Sequence, residues 1–395
     1  MIGTFSVSRF PRIVFGAGAL GRLPELVARY GTRVLLVTGA QSFQASPNWQ
    51  PLLAGLKQTG LDWLHTTIHT EPSPQMVDAA VAEYAGESID VVLAIGGGSV
   101  LDAAKAIAGL LRIGDTVMDY LEGVGPEKPY RGPAVAFIAA PTTAGTGSEA
   151  TKNAVLSIVG DDGFKKSFRD EQLVPEYAVV DPDLLATCPP GQIAANGMDA
   201  LTQLIESYVS LNANRLTDAL AIDGIRAARD ALLPLYDDPA ASPAARAAMA
   251  YAALLSGITL AQTGLGSVHG LASPLGAFFP IPHGMVCGTL VATCSRVNIE
   301  AMLDRDPGNI ALEKYTEVAE VLCRQAFSNR HAAHTALVGL LDDWTGHLQI
   351  RRLGDYGIGV ADFDRIVANC RGSSMKTNPI VLTDSEVSDI LRDRL

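Results

Sequence analysis

The sequence predicts an α/β N-terminal domain, a parallel sheet with flanking helices, joined to an all-α C-terminal domain. Three observations carry this expectation. The first half repeats a strand–turn–helix pattern, the second is Ala/Leu-rich with helical spacing, and a Pro-Pro-Gly breaker at 189–191 separates them. At 395 residues the chain is also too long for one ordinary core, so two domains are the natural expectation.

The strands come first. "TRVLLVTG" (32–39), "IDVVLAIGGG" (89–98) and "PAVAFIAAPTTAGTGSE" (133–149) are β-rich, and each ends in a Gly- or Thr-rich turn. Between them, "PQMVDAAVAEYAG" (74–86) and "SVLDAAKAIAGLLR" (99–112) have helical periodicity. Strands alternating with helices in this way build a parallel sheet covered on both faces, with ligands at the carboxyl ends of the strands. The opening "MIGTFSVSRFPRIVFG" alternates like a strand and lacks the basic-then-apolar pattern of an export signal. After "AVVDPDLLATCPPGQ" (178–192) the character changes, and "DALAIDGIRAARDALLPLY" (218–236) and "ASPAARAAMAYAALLSGITLAQTG" (241–264) read as helices. The boundary is placed near residue 186, giving domains 1–185 and 186–395, with a cleft between them as the default substrate site.

Composition narrows the function classes. A net charge of −12 argues against nucleic-acid or anionic-membrane partners, which need a basic face. No apolar run reaches the length expected of a membrane span. The five cysteines (Cys188, Cys287, Cys294, Cys323, Cys370) are scattered, contain no C-x-x-C pair, and read as reduced thiols of a cytoplasmic protein.

Five stretches carry chemistry. In "VVLAIGGGSVLDAAKA" a buried strand runs into Gly96-Gly97-Gly98, where missing side chains let backbone N–H groups approach a bulky anion. Ser99 is expected to cap the next helix, with Asp102 three residues on in a capping-box arrangement. The helix N-terminus then suits a pyrophosphate, although a tight, well-capped strand–helix turn explains the same residues. "PTTAGTGSE" (141–149) offers small hydroxyl side chains and glycines that line either a phosphate or an ordinary loop. In "NGMDALTQLIE" (196–206), Asp199 and Gln203 stand four residues apart on one helix face, as ligands or as a solvated surface. His269 in "GLGSVHGLASPLG" and His283 in "FFPIPHGMVCG" would complete, with Asp199, a carboxylate–imidazole–imidazole set suited to zinc or ferrous iron. The other five histidines have no such setting and read as surface or structural.

These pieces, in this order, resemble the iron-containing (group III) alcohol dehydrogenase family over nearly the whole chain. "FGAGALGRLPEL" is similar to the family's opening, "GGGSVLDAAKAIA" and "PTTAGTGSE" to its cofactor loops, and "GMDALTQLIESYVS" and "HGLASPLGAFFPIPHG" to its metal-binding region. The resemblance implies a dinucleotide-binding α/β domain and a helical metal-binding domain, a fold shared with the dehydroquinate synthases. It implies metal ligands at Asp199, His269 and His283, with Gln203 standing where the family usually has His. It implies pyrophosphate contacts at Gly97, Gly98, Ser99 and Asp102, ribose and phosphate contacts at Thr142 and Thr143, and a cofactor-reaching lysine at Lys165.

Two further departures matter. Many relatives carry a second His four residues beyond the first ligand His, a position held here by Ser273, so a proton relay falls to Ser273, water or the cofactor ribose. At Gly39 an acidic residue would favour NAD; glycine removes the repulsion of a 2′-phosphate, and Gln41 and Ser42 can donate to it, which favours NADP over NAD. The expected activity is therefore metal-dependent (Fe²⁺ or Zn²⁺) hydride transfer between NAD(P)(H) and a small alcohol or aldehyde. The resemblance also implies a homo-oligomer, most simply a dimer joined by N-terminal strands. A metal-independent reductase of the maleylacetate type, a dehydroquinate synthase-like lyase and a non-catalytic cofactor-binding protein are the alternatives. Retention of Asp199, His269 and His283 opposes the first, and the missing substrate-phosphate lysines oppose the second.

Overall fold

The computed structural model describes residues 4–238 and 242–395. Residues 1–3 of the expected first strand and Ala241 of the expected fourth helix lie outside the described residues. The chain forms two compact units.

The first unit comprises Ser8–Ile158 and Lys165–Cys188. Its six-stranded sheet contains β1 (Arg12–Phe15), β2 (Arg33–Gly39), β3 (Asp62–Ile68), β4 (Val91–Gly96), β5 (Ala136–Pro141) and β8 (Tyr177–Val180) in the order β1-β8-β5-β4-β2-β3. Every pairing is parallel. A separate hairpin pairs β6 (Asn153–Ile158) with β7 (Phe164–Arg169).

Strand alternation sorts the side chains between two faces. Val34, Leu36, Leu93, Ile95, Ile138, Ala140 and Val179 pack with Leu23, Leu26 and Val27 of α1 (Leu23–Val27) and with Leu52 and Leu56 of α2 (Trp49–Gln58). Their strand neighbours Leu35, Val92, Ala94 and Ala139 are equally buried on the opposite face. There α4 (Gly98–Leu110), itself adjoining α3 (Pro74–Tyr84), lies against the sheet. A sheet covered on both faces explains why these strands read as continuous apolar runs.

The second unit is helical: α5 (Pro190–Val209), α6 (Arg215–Asp237), α7 (Pro243–Thr263), α8 (Ser267–Phe278), α9 (His283–Arg305), α10 (Ile310–Cys323), α11 (Arg330–His347), α12 (Phe363–Asn369) and α13 (Asp384–Asp393). The compact units differ from the expected division at 185/186 in three respects, one being that residues 4–7 group with the helices. The units change at Cys188/Pro189, and Val159–Phe164 belongs with the helices. That loop is held there by Gly160 N–H donating to Ala277 O at 3.0 Å and by Arg365, which binds Asp161 and stacks on Phe278.

Helix α7 is long and apolar enough to cross a membrane by length and composition, contrary to the expectation from the sequence. It is largely buried against α5 and α6, the setting of a core helix. Its apolar residues run all round rather than in a stripe because neighbours surround it.

Close approach around α5 depends on glycine. A Cβ on Gly284, directly after His283, would lie 2.3 Å from Ala195 O, so only glycine lets the start of α9 rest on the α5 backbone. A Cβ on Gly266 would meet Glu206 Oε1 at 2.9 Å and Asn378 Oδ1 at 2.8 Å, just ahead of α8.

Candidate functional site

In the helical unit three elements bring distant residues together. Asp199, Gln203 and Glu206 share one face of α5, at spacings of four and three, and all are buried. His269 sits in the first turn of α8, and His283 is the first residue of α9 after Pro282. Asp199 Oδ1 lies 3.2 Å from His269 Nε2 and 3.7 Å from His283 Nε2. The two rings meet edge to face at 5.3 Å. The three residues expected as ligands therefore converge. Cys287 joins them, with one donor atom from each of the four lying within 4.8 Å of the others.

Glu206 was not singled out in the sequence, and it organises the cluster. Its Oε2 lies 2.6 Å from His269 Nδ1 and its Oε1 accepts the Val268 N–H at 2.7 Å. One carboxylate thus satisfies a free donor at the start of α8 and orients the ring. A proton on Nδ1 leaves the Nε2 lone pair facing Asp199, the arrangement in which a carboxylate-held histidine binds a metal. Asn378 Oδ1 accepts the neighbouring Ser267 N–H at 3.0 Å.

The electrostatics are those of a compact donor set. Burial penalises the Asp199 carboxylate, but His283 and His269 outweigh it and hold the group below the usual range. Burial likewise penalises a His269 imidazolium, yet Cys287, Glu206 and Asp199 push the ring well above its ordinary value. Burial pushes the Cys287 thiol up to about 12.

Gln203 differs from expectation. Its Nε2 donates to Asp199 Oδ1 at 3.2 Å and its Oε1 accepts from Ser256 Oγ at 2.8 Å. An ionised carboxylate only accepts, so the amide turns its nitrogen, which has no lone pair for a cation, toward the cluster. In this arrangement Gln203 braces Asp199 through its amide nitrogen. Ser273 lies half-buried on α8, one turn beyond His269.

In the sheet unit the expected cofactor residues gather at the carboxyl ends of adjacent strands. Gly39 ends β2, Gly97 and Gly98 follow β4, and Thr142 and Thr143 follow β5. Thr142 N–H donates to Gly96 O at 2.9 Å, tying two of these turns together. A Cβ on Gly98 would fall 2.8 Å from Thr146 Cγ2, and one on Gly97 would sit 3.4 Å from Thr143 Oγ1, so glycine lets the loops touch. Ser42 is exposed in the turn after β2, where Gln44 Nε2 braces Gly39 O at 3.2 Å.

The capping expectation is corrected. The N-cap of α4 is Gly97, in extended conformation, and Ser99 lies within the helix. The backbone reaches helical geometry two residues earlier than expected, with Gly98 already in the helix. Ser99 Oγ instead donates to Glu71 Oε1 at 3.0 Å, and Lys165 Nζ lies 3.4 Å from Glu71 Oε2. Glu71, after β3, thus links a residue expected to meet pyrophosphate with one expected to reach the cofactor, another connection the sequence did not suggest. The first N–H groups of α4 still lack intrahelical partners and keep the character of an anion site.

Asp102 makes no capping box; it accepts from Ser148 Oγ at 2.5 Å. Behind it, fully buried Lys105 donates to Ser148 O at 2.8 Å, Thr151 Oγ1 at 3.1 Å and Asn153 O at 2.7 Å. Burial raises Asp102, lowers Lys105 to about 8 and raises Glu149 to about 7. Asp102 and Lys105, both bonded to Ser148, fix the end of the 141–149 loop to α4.

Comparison with known proteins agrees in both halves. Residues 11–182 match the family profile described as iron-containing alcohol dehydrogenase, and residues 193–395 match the C-terminal profile of the Fe-containing alcohol dehydrogenase family. Alcohol dehydrogenase 4 of Schizosaccharomyces pombe is 32% identical over 387 residues, covering 97% of this chain and 87% of its own. The NAD-dependent methanol dehydrogenase of Bacillus methanolicus is 28% identical over 392 residues, 98% of each chain. A crystal structure of 1,3-propanediol oxidoreductase superimposes with a TM-score of 0.88 at 26% identity, covering 100% of both chains. The chain belongs to the iron-containing alcohol dehydrogenase family.

Proposed function

We propose that this alcohol dehydrogenase/aldehyde reductase reduces small aldehydes with NADPH, and runs in reverse on the alcohols, using a divalent cation (Fe²⁺ or Zn²⁺) held by Asp199, His269 and His283. The observation that carries the proposal is the convergence of those three donors, with His269 oriented by Glu206. Their chemistry fits a divalent cation: one ionised carboxylate and two imidazole nitrogens at mutual distances of 3.2 and 3.7 Å from the carboxylate oxygen. When bound, such a cation supplies Lewis-acid polarisation of the substrate oxygen.

The protein's own residues do the rest. The N-terminus of α4 and the glycines at 97 and 98 take the pyrophosphate, and Thr142 and Thr143 position the ribose side. Lys165 and Ser99 reach phosphate oxygens once Glu71 gives way. Aldehyde reduction consumes one proton besides the hydride, and its relay stays open between Ser273, water and the cofactor ribose. Convergence of the three donors also speaks against a metal-independent reductase.

NADP is favoured although the methanol dehydrogenase relative is NAD-dependent by name. Gly39 places no carboxylate at the end of β2, where one would repel a 2′-phosphate. We further propose a cytoplasmic homodimer. The five free cysteines support the compartment, and exposed Ile13 and Phe15 on the edge strand β1, with Phe10 just before it, support self-association.

Steady-state coenzyme oxidation with a panel of small aldehydes tests the activity. Chelator-treated protein is expected to lose turnover and to regain it with Fe²⁺, Zn²⁺ or Mn²⁺; unchanged turnover after complete metal removal would discard the metal's role.

A further inference from the structure

We propose that Cys287 Sγ is the fourth protein ligand of the divalent cation, giving an Asp–His–His–Cys set in which sulfur stands where Gln203 was expected to supply oxygen; this rests on the metal-dependent reading above. Cys287 follows His283 by one turn of α9, so the thiol and the imidazole share a helix face. Its sulfur lies 3.6 Å from His269 Nε2 and 3.8 Å from His283 Nε2. Asp199 Oδ1 is 3.2 and 3.7 Å from the same two nitrogens.

These separations can be compared with the edges of a coordination tetrahedron. With metal–nitrogen and metal–oxygen bonds of about 2.0–2.1 Å and a metal–sulfur bond of about 2.3 Å, tetrahedral angles give N···S edges of about 3.6 Å and N···O edges of about 3.3 Å. The observed edges cluster around those values. Four of the six edges thus match those of a tetrahedron, and all four atoms lie within 4.8 Å of one another.

Gln203 does not compete well. Its carbonyl oxygen is engaged by Ser256 and its nitrogen faces Asp199. Cys287 is fully buried, with its sulfur beside both imidazole nitrogens. On coordination the S–H bond breaks, the metal–sulfur bond forms and the proton leaves to solvent, with no change in oxidation state. A soft thiolate also tilts selectivity toward zinc over ferrous iron.

X-ray absorption at the zinc edge, on the full chain loaded with one equivalent of Zn²⁺, tests the assignment. One sulfur scatterer at about 2.3 Å beside nitrogen and oxygen at about 2.0–2.1 Å is expected. Co²⁺ in place of Zn²⁺ should give near-ultraviolet thiolate-to-cobalt charge-transfer absorption. Cys287→Ser should abolish both signals and weaken Zn²⁺ binding about tenfold or more, whereas Cys294→Ser should preserve both. A shell of nitrogen and oxygen alone in protein that binds Zn²⁺ overturns the role of Cys287 and leaves the metal-dependent reading standing. Failure to take up any of Zn²⁺, Fe²⁺ and Mn²⁺ overturns both. Should Cys287→Ser not fold, the shell of the unsubstituted protein decides.

Discussion

Glu206 holds His269 by its Nδ1 at 2.6 Å while the same carboxylate accepts the Val268 N–H at 2.7 Å. Ring orientation and the start of α8 are therefore one feature, fixed by a residue two turns along α5 from Asp199. Glu206→Gln keeps a cap for Val268 but gives His269 a weaker partner. Metal affinity, measured by chelator competition, is expected to fall about 10- to 100-fold. Unchanged affinity would show that Glu206 serves the helix end alone.

The α5–α9 approach is the second dependence. Gly284→Ala places a methyl group 2.3 Å from Ala195 O, and backbone cannot yield as a flexible side chain would. A loss of about 1–3 kcal/mol in unfolding free energy is expected, with weaker metal binding because His283 moves with the helix start. Denaturant unfolding and metal titration check the two effects, and an unchanged midpoint would contradict the close contact.

Glu149 gives a pH signature. Its buried carboxyl titrates near 7, against 4.5 when solvated, so the folded chain holds a proton that the unfolded chain releases between those values. Stability tied to this group is fully present below pH 4.5 and lost as pH rises through about 7. Glu149→Gln removes that loss. The variant should match the unsubstituted chain in acid and exceed it above about pH 7, by up to about 3 kcal/mol. Thermal unfolding across this range is the measurement, and a pH-independent difference would rule out a buried titrating carboxyl.

Coenzyme choice is tested at Gly39. A Cβ there meets Val100 Cγ2 at an ordinary 3.8 Å, so an acidic side chain has room to start. Gly39→Asp should raise the NADH-to-NADPH ratio of kcat/KM by about tenfold or more, through repulsion of the 2′-phosphate and a hydrogen bond to the free 2′-hydroxyl. No change in the ratio would place the 2′-position elsewhere.

The parallel sheet was legible because strands buried on both faces spell continuous apolar runs, and the turns after β2, β4 and β5 advertise themselves by glycine and threonine. Asp199, His269 and His283 were legible through motifs in order. Glu206 and Cys287 were not, although both repeat the helical spacing that marked Asp199 and Gln203. Glu206 stands three residues past Gln203, and Cys287 four past His283. Spacing shows which residues share a face, but not which face turns inward, and packing of α8 and α9 on α5 decides that. The capping role of Ser99 failed for a local reason, since Gly97 begins the helix before serine can cap it. Glu71 was invisible because its partners Ser99 and Lys165 are 28 and 94 residues away.

Anomalous diffraction at the metal edge, from crystals of the full chain grown with Zn²⁺, tests the central claim most directly. The expected result is one peak at about 2.0–2.2 Å from Asp199 Oδ1, His269 Nε2 and His283 Nε2 together. A protein with no peak among these three atoms, or with its zinc bound elsewhere, would contradict it.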